Sequence, residues 1–457
     1  MQTTLLGLGI AVILALLAAL VGPLLIDWGA HRSLFEAEAS RLIGVDVRVT
    51  GAIDARLLPS PRLTLHEIEI GKPGRESIRA RSLGIEFALG PLMRGDWRAT
   101  ELHLAGPQIR LDLDASGHVQ APNLAVGFDP DALTIDRLSI EDGKVILADA
   151  ASGAGMTLDR LSFNGEARSL IGPLKGEGFV TIGGELYPFR ISAGRYSDES
   201  GLKLHINVDP VNRPGIETDG VLALAGGSPH FDGTLSLARP VGIATPGASS
   251  ASMTLTQSWR ISGKVKASAQ SALMENLEFQ YGSEDQGFKL TGVADFKFGK
   301  TPRFDSVLSG RQIDIDRALA SGDGGRPLPA AAIRELAQLG GAVFRPAIPI
   351  QIGIGIDQIT LGGGSVQNLR GDISTDSRGW NLDRFEFRAP GFTQAKLSGQ
   401  LAVNANDVVF TGPADIQSGD PKVLAAWLEG RMETGQGELR PTHLRGDLTI
   451  GNERVEV

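Results

Sequence analysis

The chain begins with an apolar run that constrains its fold more than any other feature. Residues 5–26 form a stretch of 22 positions without a charged side chain. As a helix this run would extend ~33 Å at ~1.5 Å per residue, enough to cross a hydrocarbon core of ~30 Å. We therefore predict one transmembrane anchor over residues 1–27, followed by a large water-compatible part on one side of the membrane. The anchor residues are Leu5, Ile13, Leu20, Ile26 and, at the membrane interface, Trp28.

A cleaved signal peptide is the alternative interpretation of this run. Signal peptides have a basic n-region, a shorter apolar stretch and a cleavage site of the A-x-A kind. Residues 1–4 contain no Lys or Arg, and no A-x-A pattern lies near the end of the run, so an uncleaved anchor is favoured. The indole of Trp28 prefers the membrane interface, although a plain helix contact explains this residue equally well. Arg32 and Arg41 would favour a cytoplasmic location for the rest of the chain, but long domains cross a membrane largely regardless of such charges.

Composition excludes some classes of function and predicts a class of fold. The net charge is −9 with acidic and basic residues interspersed, so no basic face is available for nucleic acid. The chain has no cysteine, which excludes disulfide bonds and thiolate chemistry. Glycine accounts for 59 of 457 residues, about twice its usual share of ~7%. Because glycine adopts positive φ without steric cost, this content predicts many turns and therefore many short strands.

Alternation of apolar and polar residues predicts the same strands directly. In residues 109–114 the apolar side chains alternate with Arg110, Asp112 and Asp114, which places the two kinds on opposite faces of a strand. One-sided strands of this kind are typical of antiparallel sheets. The pair Asp142-Gly143 predicts a hairpin turn between two such runs. By these signals we count about 25 strands.

The predicted fold class is mostly β, with one transmembrane helix and a few short helices. Open sheets rarely exceed ~10 strands without curling or splitting, so the apolar face must be covered. Two stacked sheets, a closed β-helix and a sheet curled around a groove would each do this, and the strand pattern does not choose among them.

Three short helices and one linker are predicted outside the strands. Residues 27–44 read as an amphipathic helix capped by Asp27, and residues 329–339 as a second helix. Residues 420–430 have start and stop signals for a third helix, with Asp420 as N-cap and Gly430 after the last turn. Its predicted apolar stripe is Val423, Leu424, Trp427 and Leu428. A linker at residues 242–252 would separate a first β section over 28–245 from a second over 253–457.

Motifs for catalysis or metal binding are missing from the sequence. The seven histidines have no metal-ligand spacing, and there is no nucleophile elbow, Walker A or dinucleotide fingerprint. Asp314 and Asp316 could suggest calcium, but two carboxylates on the wet face of a strand explain them better, since the EF-hand ligand series is absent. We therefore expect no catalytic residue, no metal and no cofactor. A glycosidase site stays open as an alternative, because carboxylate separation is a spatial quantity.

Seven segments of the chain form a recognisable series: Leu24–Trp28, Phe35–Gly44, Leu57–Leu65, Leu138–Leu147, Ser169–Pro173, Phe410–Gly412 and Asp420–Leu428. Together they resemble the AsmA family, and in their order they are similar to its alphaproteobacterial form. The resemblance spans nearly the whole chain.

The resemblance implies a location, a fold and a role. AsmA-like proteins are anchored in the inner membrane of diderm bacteria by a single pass, with the bulk of the chain in the periplasm. They form a long, curled antiparallel β-sheet with a taco-like apolar groove. They contribute to outer-membrane biogenesis, the larger members pass phospholipids between the two membranes, and they are not enzymes. The implied partners are phospholipids, the inner membrane, and outer-membrane or other envelope proteins.

The leading hypothesis is that phospholipid acyl chains lie in this groove. Burial stabilises each CH₂ group by ~0.8 kcal/mol, and a smooth aliphatic wall would let a chain slide. Plain core packing is the alternative for every candidate residue. The candidate lipid-contacting residues are Ile109, Leu111, Leu113, Leu133, Ile135, Leu202, Leu204, Ile350, Ile352, Ile354 and Ile356.

Two other hypotheses belong to different functional classes. A non-catalytic periplasmic scaffold would use a free sheet edge to recruit a partner strand during assembly of outer-membrane components. A carbohydrate-active enzyme would need carboxylates clustered in a cleft.

Overall fold

The computed structural model describes most of the chain as two compact units, Met1–Gly233 and Thr234–Val457. The predicted linker at residues 242–252 lies outside the described residues. The described residues are 17, 20–23, 25–43, 45–71, 78–94, 98–120, 134–167, 173–195, 201–211, 213–239, 258–320, 326–333, 335–336, 348–376, 379–403, 408–431, 440–451 and 455–456.

Among its described residues the first unit contains a 3-10 helix at Trp28–His31, the helices α1 and α2, the strands β1 to β13 and the start of β14; residues 17, 20–23 and 25 are also helical. Strands β1 and β2 both pair with β3, and β3 is followed across the sheet by β4 and β5. From β8 to β13 each strand pairs antiparallel with the next. The bounds are α1 Arg32–Ile43, α2 Leu89–Met93, β1 Val47–Val49, β2 Ile53–Arg56, β3 Arg62–Ile70, β4 Ile78–Phe87, β5 Arg98–Ala105, β6 Gln108–Leu113, β7 Val119–Gln120, β8 Thr134–Asp149, β9 Gly155–Ala167, β10 Leu174–Ile182, β11 Glu185–Arg195, β12 Gly201–Val208 and β13 Gly215–Ala225.

The second unit begins within β14, Ser228–Arg239, which contains the division between the units. Its strands pair in chain order from β15 to β25. Residues 329–333 and 335–336 are also helical. The bounds are β15 Trp259–Ser268, β16 Ser271–Tyr281, β17 Phe288–Lys297, β18 Arg303–Asp314, α3 Ile315–Ala318, β19 Ile350–Leu361, β20 Gly364–Asp376, β21 Gly379–Ala389, β22 Thr393–Val403, β23 Val408–Ser418, α4 Pro421–Leu428, β24 Thr442–Ile450 and β25 Val455–Glu456.

The sheet structure is mixed, which corrects the prediction of a purely antiparallel sheet. β8 runs parallel to β5 and to β6, and β19 runs parallel to β18. A parallel pair needs a crossover of a dozen or more residues. Long connections at 114–133 and 315–349 meet this requirement. Alternation along one strand does not reveal the direction of its neighbour, so the sequence could not predict these pairs.

The predicted hairpin turn at Asp142-Gly143 is wrong, because both residues lie inside the 16-residue strand β8. Asp142 has a φ of 52°, and the register against β9 shifts around Gly143, as in a β-bulge. The bulge faces the break between β5 and β6. There Gly106 N donates to Glu141 O at 2.7 Å, and Lys144 N donates to Pro107 O at 2.7 Å. The conformational freedom of Asp142-Gly143 thus allows the long strand β8 to pair with both β5 and β6.

The predicted helix at residues 420–430 is confirmed as α4 and its two caps. Asp420 accepts hydrogen bonds from Lys422 N and Val423 N, and Gly430 has a left-handed φ of 69°. Its apolar stripe differs from the prediction, since Leu428 is exposed and Ala426 is buried. Trp427 lies over the β19–β20 turn, where its Nε1 donates to Leu361 O at 2.8 Å.

The predicted anchor is described only in part, since Leu5 and Ile13 lie outside the described residues. In the part of the chain that the structure describes, no helix is both long and apolar enough to cross a membrane. Leu20 and Ile26 are exposed. Trp28 packs edge-on against Phe35, with ring centroids 6.2 Å apart, and donates to Pro23 O at 2.8 Å.

Glycines lie both at turns, as predicted, and inside strands, where closely paired backbones exclude a side chain. Gly183-Gly184 form a hairpin turn with φ values of 59° and 87°. Gly165 and Gly176 instead face each other across β9 and β10. A Cβ on Gly165 would lie 2.4 Å from Lys175 O and 2.6 Å from the Phe163 ring. The Phe163 ring thus covers the space that two side chains would otherwise fill.

We expect Gly165→Ala to destabilise the first unit, because the added methyl has no space between paired backbones. Overpacking of this kind costs about 1–3 kcal/mol. Gly194→Ala on β11 is the matched control, since a Cβ there meets nothing within 4 Å. Thermal unfolding followed by circular dichroism should show a lower midpoint for the first variant alone. Equal midpoints would contradict the close approach.

Candidate functional site

An apolar surface on β11, β12 and β13 is the strongest candidate for a functional site in the first unit. Directly opposite residues belong to the same face of a sheet, and here most of them are apolar in successive strands, with Arg195 opposite Leu202 and Thr218 opposite Ile206 as the polar exceptions. Ile191 pairs with Ile206, and Leu202 pairs with Leu222. All are half-buried. We call this surface the apolar ribbon; it consists of Phe189, Ile191, Leu202, Leu204, Ile206, Val208, Ile216 and Leu222.

The opposite face of the same strands is polar. Between the ribbon residues of β12 lie Lys203, His205 and Asn207. His205 Nδ1 lies 3.5 Å from Asp219 Oδ2 on β13. Arg190 of β11 forms a further ion pair there. The sheet therefore separates a wet face from an apolar one, as the alternation predicted.

The apolar ribbon has no described helix packed on it. The described helices lie elsewhere: the 3-10 helix and α1 beside β2 and β1, α2 in the connection between β4 and β5, α3 and the helical residues 329–333 beside β19, and α4 over the β19–β20 turn. None of the ribbon residues belongs to the buried cores of the described chain. From β11 to β13 the strands span ~10 Å at ~4.8 Å per step, so the ribbon is wide enough to contact part of an acyl chain.

Aromatic residues in and beside the ribbon were missed by the sequence analysis. Phe163 of β9 and Phe189 of β11 lie parallel, with ring centroids 6.5 Å apart and planes at 8°. Each pairs with Gly178, the small residue between them. The alternation Phe189, Ile191, Ala193 was available as a signal in the sequence. The apolar wall is therefore partly aromatic at this end.

The predicted lipid-contacting residues of the first unit fall into different surroundings. Leu202 and Leu204 belong to the apolar ribbon. Ile109, Leu111 and Leu113 are half-buried on β6, where Ile109 pairs with Val145 and Leu111 with Leu147 of β8.

Ile135 and Leu133 are separate from the ribbon residues. Ile135 is only 2% exposed and packs in a core with Ala99, Leu102 and Ala167. Core packing therefore accounts for Ile135. Leu133 lies outside the described residues.

The predicted residues of the second unit lie on a face that the chain itself partly covers. Ile350, Ile352, Ile354 and Ile356 alternate along β19, and the first and last are buried at 3% and 8% exposure. Ile356 belongs to a core with residues of α3 and with the fully buried Ala332 of the helical residues 329–333. Ile354 packs against the same core. Their contact with lipid stays a prediction.

The alternation on β19 continues past a change of phase. After Ile356 the apolar positions become Ile359 and Leu361, which join the same core. Asn368, on the facing strand β20, has a left-handed φ of 52° where the phase changes. The apolar side chains therefore stay on one face although the spacing shifts by one residue.

The two aspartates considered for calcium have structural roles in the fold. Their interpretation as carboxylates on the wet face of a strand holds for Asp314, the exposed last residue of β18, and is wrong for Asp316, which lies buried in α3. Asp314 caps α3 by accepting from Arg317 N at 2.9 Å. Asp316 is buried and accepts from Gly362 N at 2.6 Å and Gly363 N at 2.7 Å, in the β19–β20 turn. Within the described residues no group of three or more His, Asp or Glu could hold a metal ion.

A buried phenol lies beside the helical residues 329–333 and 335–336 of the second unit. Tyr281 is 3% exposed, and its Oη has no hydrogen-bond partner within the described chain. Burial, with a smaller contribution from the charge of Glu335, raises the pKa of Tyr281 to about 12. Burial also raises the pKa of the Glu335 carboxyl above its usual 4.5. Folding therefore shifts Glu335 towards its neutral form relative to a free glutamate.

We expect Glu335→Gln to stabilise the second unit at neutral pH. When folding raises the pKa of a carboxyl, the folded unit loses stability as the pH rises through that folded pKa, because the charged form is disfavoured there. A neutral amide at the same position causes no such loss. The gain should vanish below the ordinary pKa of 4.5. Thermal midpoints at pH 7 and pH 4 measure this difference. Glu278→Gln is the control, because it only breaks an exposed pair with Lys289; a gain of equal size there would contradict the explanation.

Comparison with known proteins relates the N-terminal part of the chain to one family. The AsmA family model matches residues 1–169, so this part of the chain is similar to AsmA family proteins. The resemblance of the later segments stays a prediction. No curated protein and no solved structure matches the chain. The family match and a large mixed β-sheet are compatible with an envelope or lipid-related role.

Proposed function

We propose that this protein is an inner-membrane-anchored periplasmic protein of outer-membrane biogenesis that holds or conducts phospholipid acyl chains without catalysing a reaction. The apolar ribbon on β11–β13 is the observation that carries the proposal. Its residues are half-buried, and no described helix covers them. The match to the AsmA family supports the location in the envelope.

The chemistry of the ribbon fits an acyl chain better than a polar ligand. Its side chains are aliphatic apart from Phe189, so they offer no hydrogen bond to a sugar or a peptide. Each CH₂ group that leaves water gains ~0.8 kcal/mol. Because neighbouring aliphatic positions are nearly equivalent, a chain can shift along the ribbon at little cost. The headgroup would stay in water.

A photoreactive residue tests contact with lipid directly. We expect p-benzoylphenylalanine at Ile206, on the ribbon, to form covalent adducts with phospholipid when cells making the full chain are irradiated. The same residue at the neighbouring Asn207, on the polar face, should give little or none. Mass spectrometry of the purified chain detects the adduct. Equal labelling at both positions, or none at Ile206, would contradict the proposal.

Charge placed in the ribbon should block function while the strand pairing remains. We expect Leu204→Asp with Ile206→Asp to abolish complementation of a strain lacking the protein, measured as sensitivity to detergents that an intact outer membrane excludes. Lys203→Asp with Asn207→Asp places the same charges on the polar face of β12 and should complement. Full complementation by the ribbon variant, with normal folding, would favour the scaffold hypothesis.

A further inference from the structure

The first edge of the sheet is closed by side chains of α1. Val49 N of β1 donates to Glu36 Oε1 at 2.7 Å, and Val47 N donates to Ser40 Oγ at 2.8 Å. Arg32 Nη2 donates to Gly51 O at 2.9 Å. These backbone groups point away from β3, so they are the ones that another strand would use.

The three side chains form one stripe of the helix. Arg32, Glu36 and Ser40 are spaced four residues apart, which places them on the same face of α1. Beside them Phe35 and Ala39 pack on the core formed by Val47, Val49 and Ile53. The helix therefore covers this end of the sheet with an apolar contact and with hydrogen bonds that imitate a neighbouring strand.

The edge beneath α1 is complementary to a second copy of itself. An antiparallel copy centred on Gly51 would place Arg48 opposite Asp54 and Val49 opposite Ile53. Arg48 and Asp54 are exposed, whereas Val49 and Ile53 are buried, so charge and apolar character both match. Symmetric pairing of this kind is the usual geometry of a two-fold dimer.

We propose that residues 47–56 are a strand-pairing surface for a second copy of this chain, and that the Arg32, Glu36 and Ser40 stripe of α1 keeps this surface closed. The proposal does not depend on lipid binding. It assigns α1 a role beyond packing: the chain associates through its first edge only when the helix is displaced.

The test is the mass of the full chain in detergent, measured by light scattering during size exclusion. Glu36→Ala with Ser40→Ala removes both acceptors and should convert a monomer into a dimer, with association at least about tenfold tighter than in the unchanged chain. Glu36→Gln with Ser40→Thr keeps both acceptors and should stay monomeric. Glu38→Ala with Arg41→Ala, which breaks an exposed ion pair on the same helix, should also stay monomeric.

A charge reversal tests the predicted register. Adding Asp54→Arg to the dimeric variant places Arg opposite Arg48 and should restore the monomer, whereas Arg48→Asp together with Asp54→Arg should restore the dimer. A folded but monomeric Glu36→Ala, Ser40→Ala variant would overturn the proposal. So would a dimer that Asp54→Arg leaves intact, or an unchanged chain already paired through this edge. If the double variant loses its strand signal in circular dichroism, Glu36→Ala alone is tested against the same outcomes.

Discussion

The need to cover one apolar face is the constraint on which the rest of this structure depends. A sheet satisfies its backbone hydrogen bonds through neighbouring strands, but alternation gives every strand an apolar side that water disfavours. A globular domain resolves this by packing a second layer on the sheet. Here strands follow one another across each unit, and the described residues include few helices to act as that layer. The covering of each part of the face therefore decides what that part can do.

Within the described residues, the two units cover the apolar faces of their strands in different ways. In the first, α1 and Trp28 cover the strands nearest the N-terminus, and a compact core lies around Ala99 and Ile135. The apolar ribbon on β11–β13 has no such covering among the described residues. In the second, residues of α3, the helical residues 329–333 and Trp427 meet over β19. A ligand with an aliphatic surface would complete the first arrangement, whereas the second is completed by the chain.

Alternation predicted the strands well, because it reports the local environment of each side chain. The ribbon residues Leu202 and Leu204 and the helix after Asp420 followed from such local signals. Alternation did not predict which strands are neighbours in the sheet. The parallel partners of β8 and β18 depend on where a long connection returns, and Asp142-Gly143 forms a bulge only because two shorter strands meet opposite it. Ile135 and Ile356 carried the same pattern as the ribbon but lie in cores, since packing by distant residues decides exposure.

The central claim is that the ribbon faces acyl chains, and the absence of cysteine from the chain allows a direct measurement. A polarity-sensitive dye on a cysteine at Ile206 can be compared with the same dye at Asn207, in the full chain reconstituted into phospholipid vesicles. Lipids with a spin-labelled acyl chain quench a dye that they contact. We predict an apolar emission at position 206 that these lipids quench, and a water-like, unquenched emission at 207. An emission at 206 that is insensitive to the labelled lipids would contradict the claim.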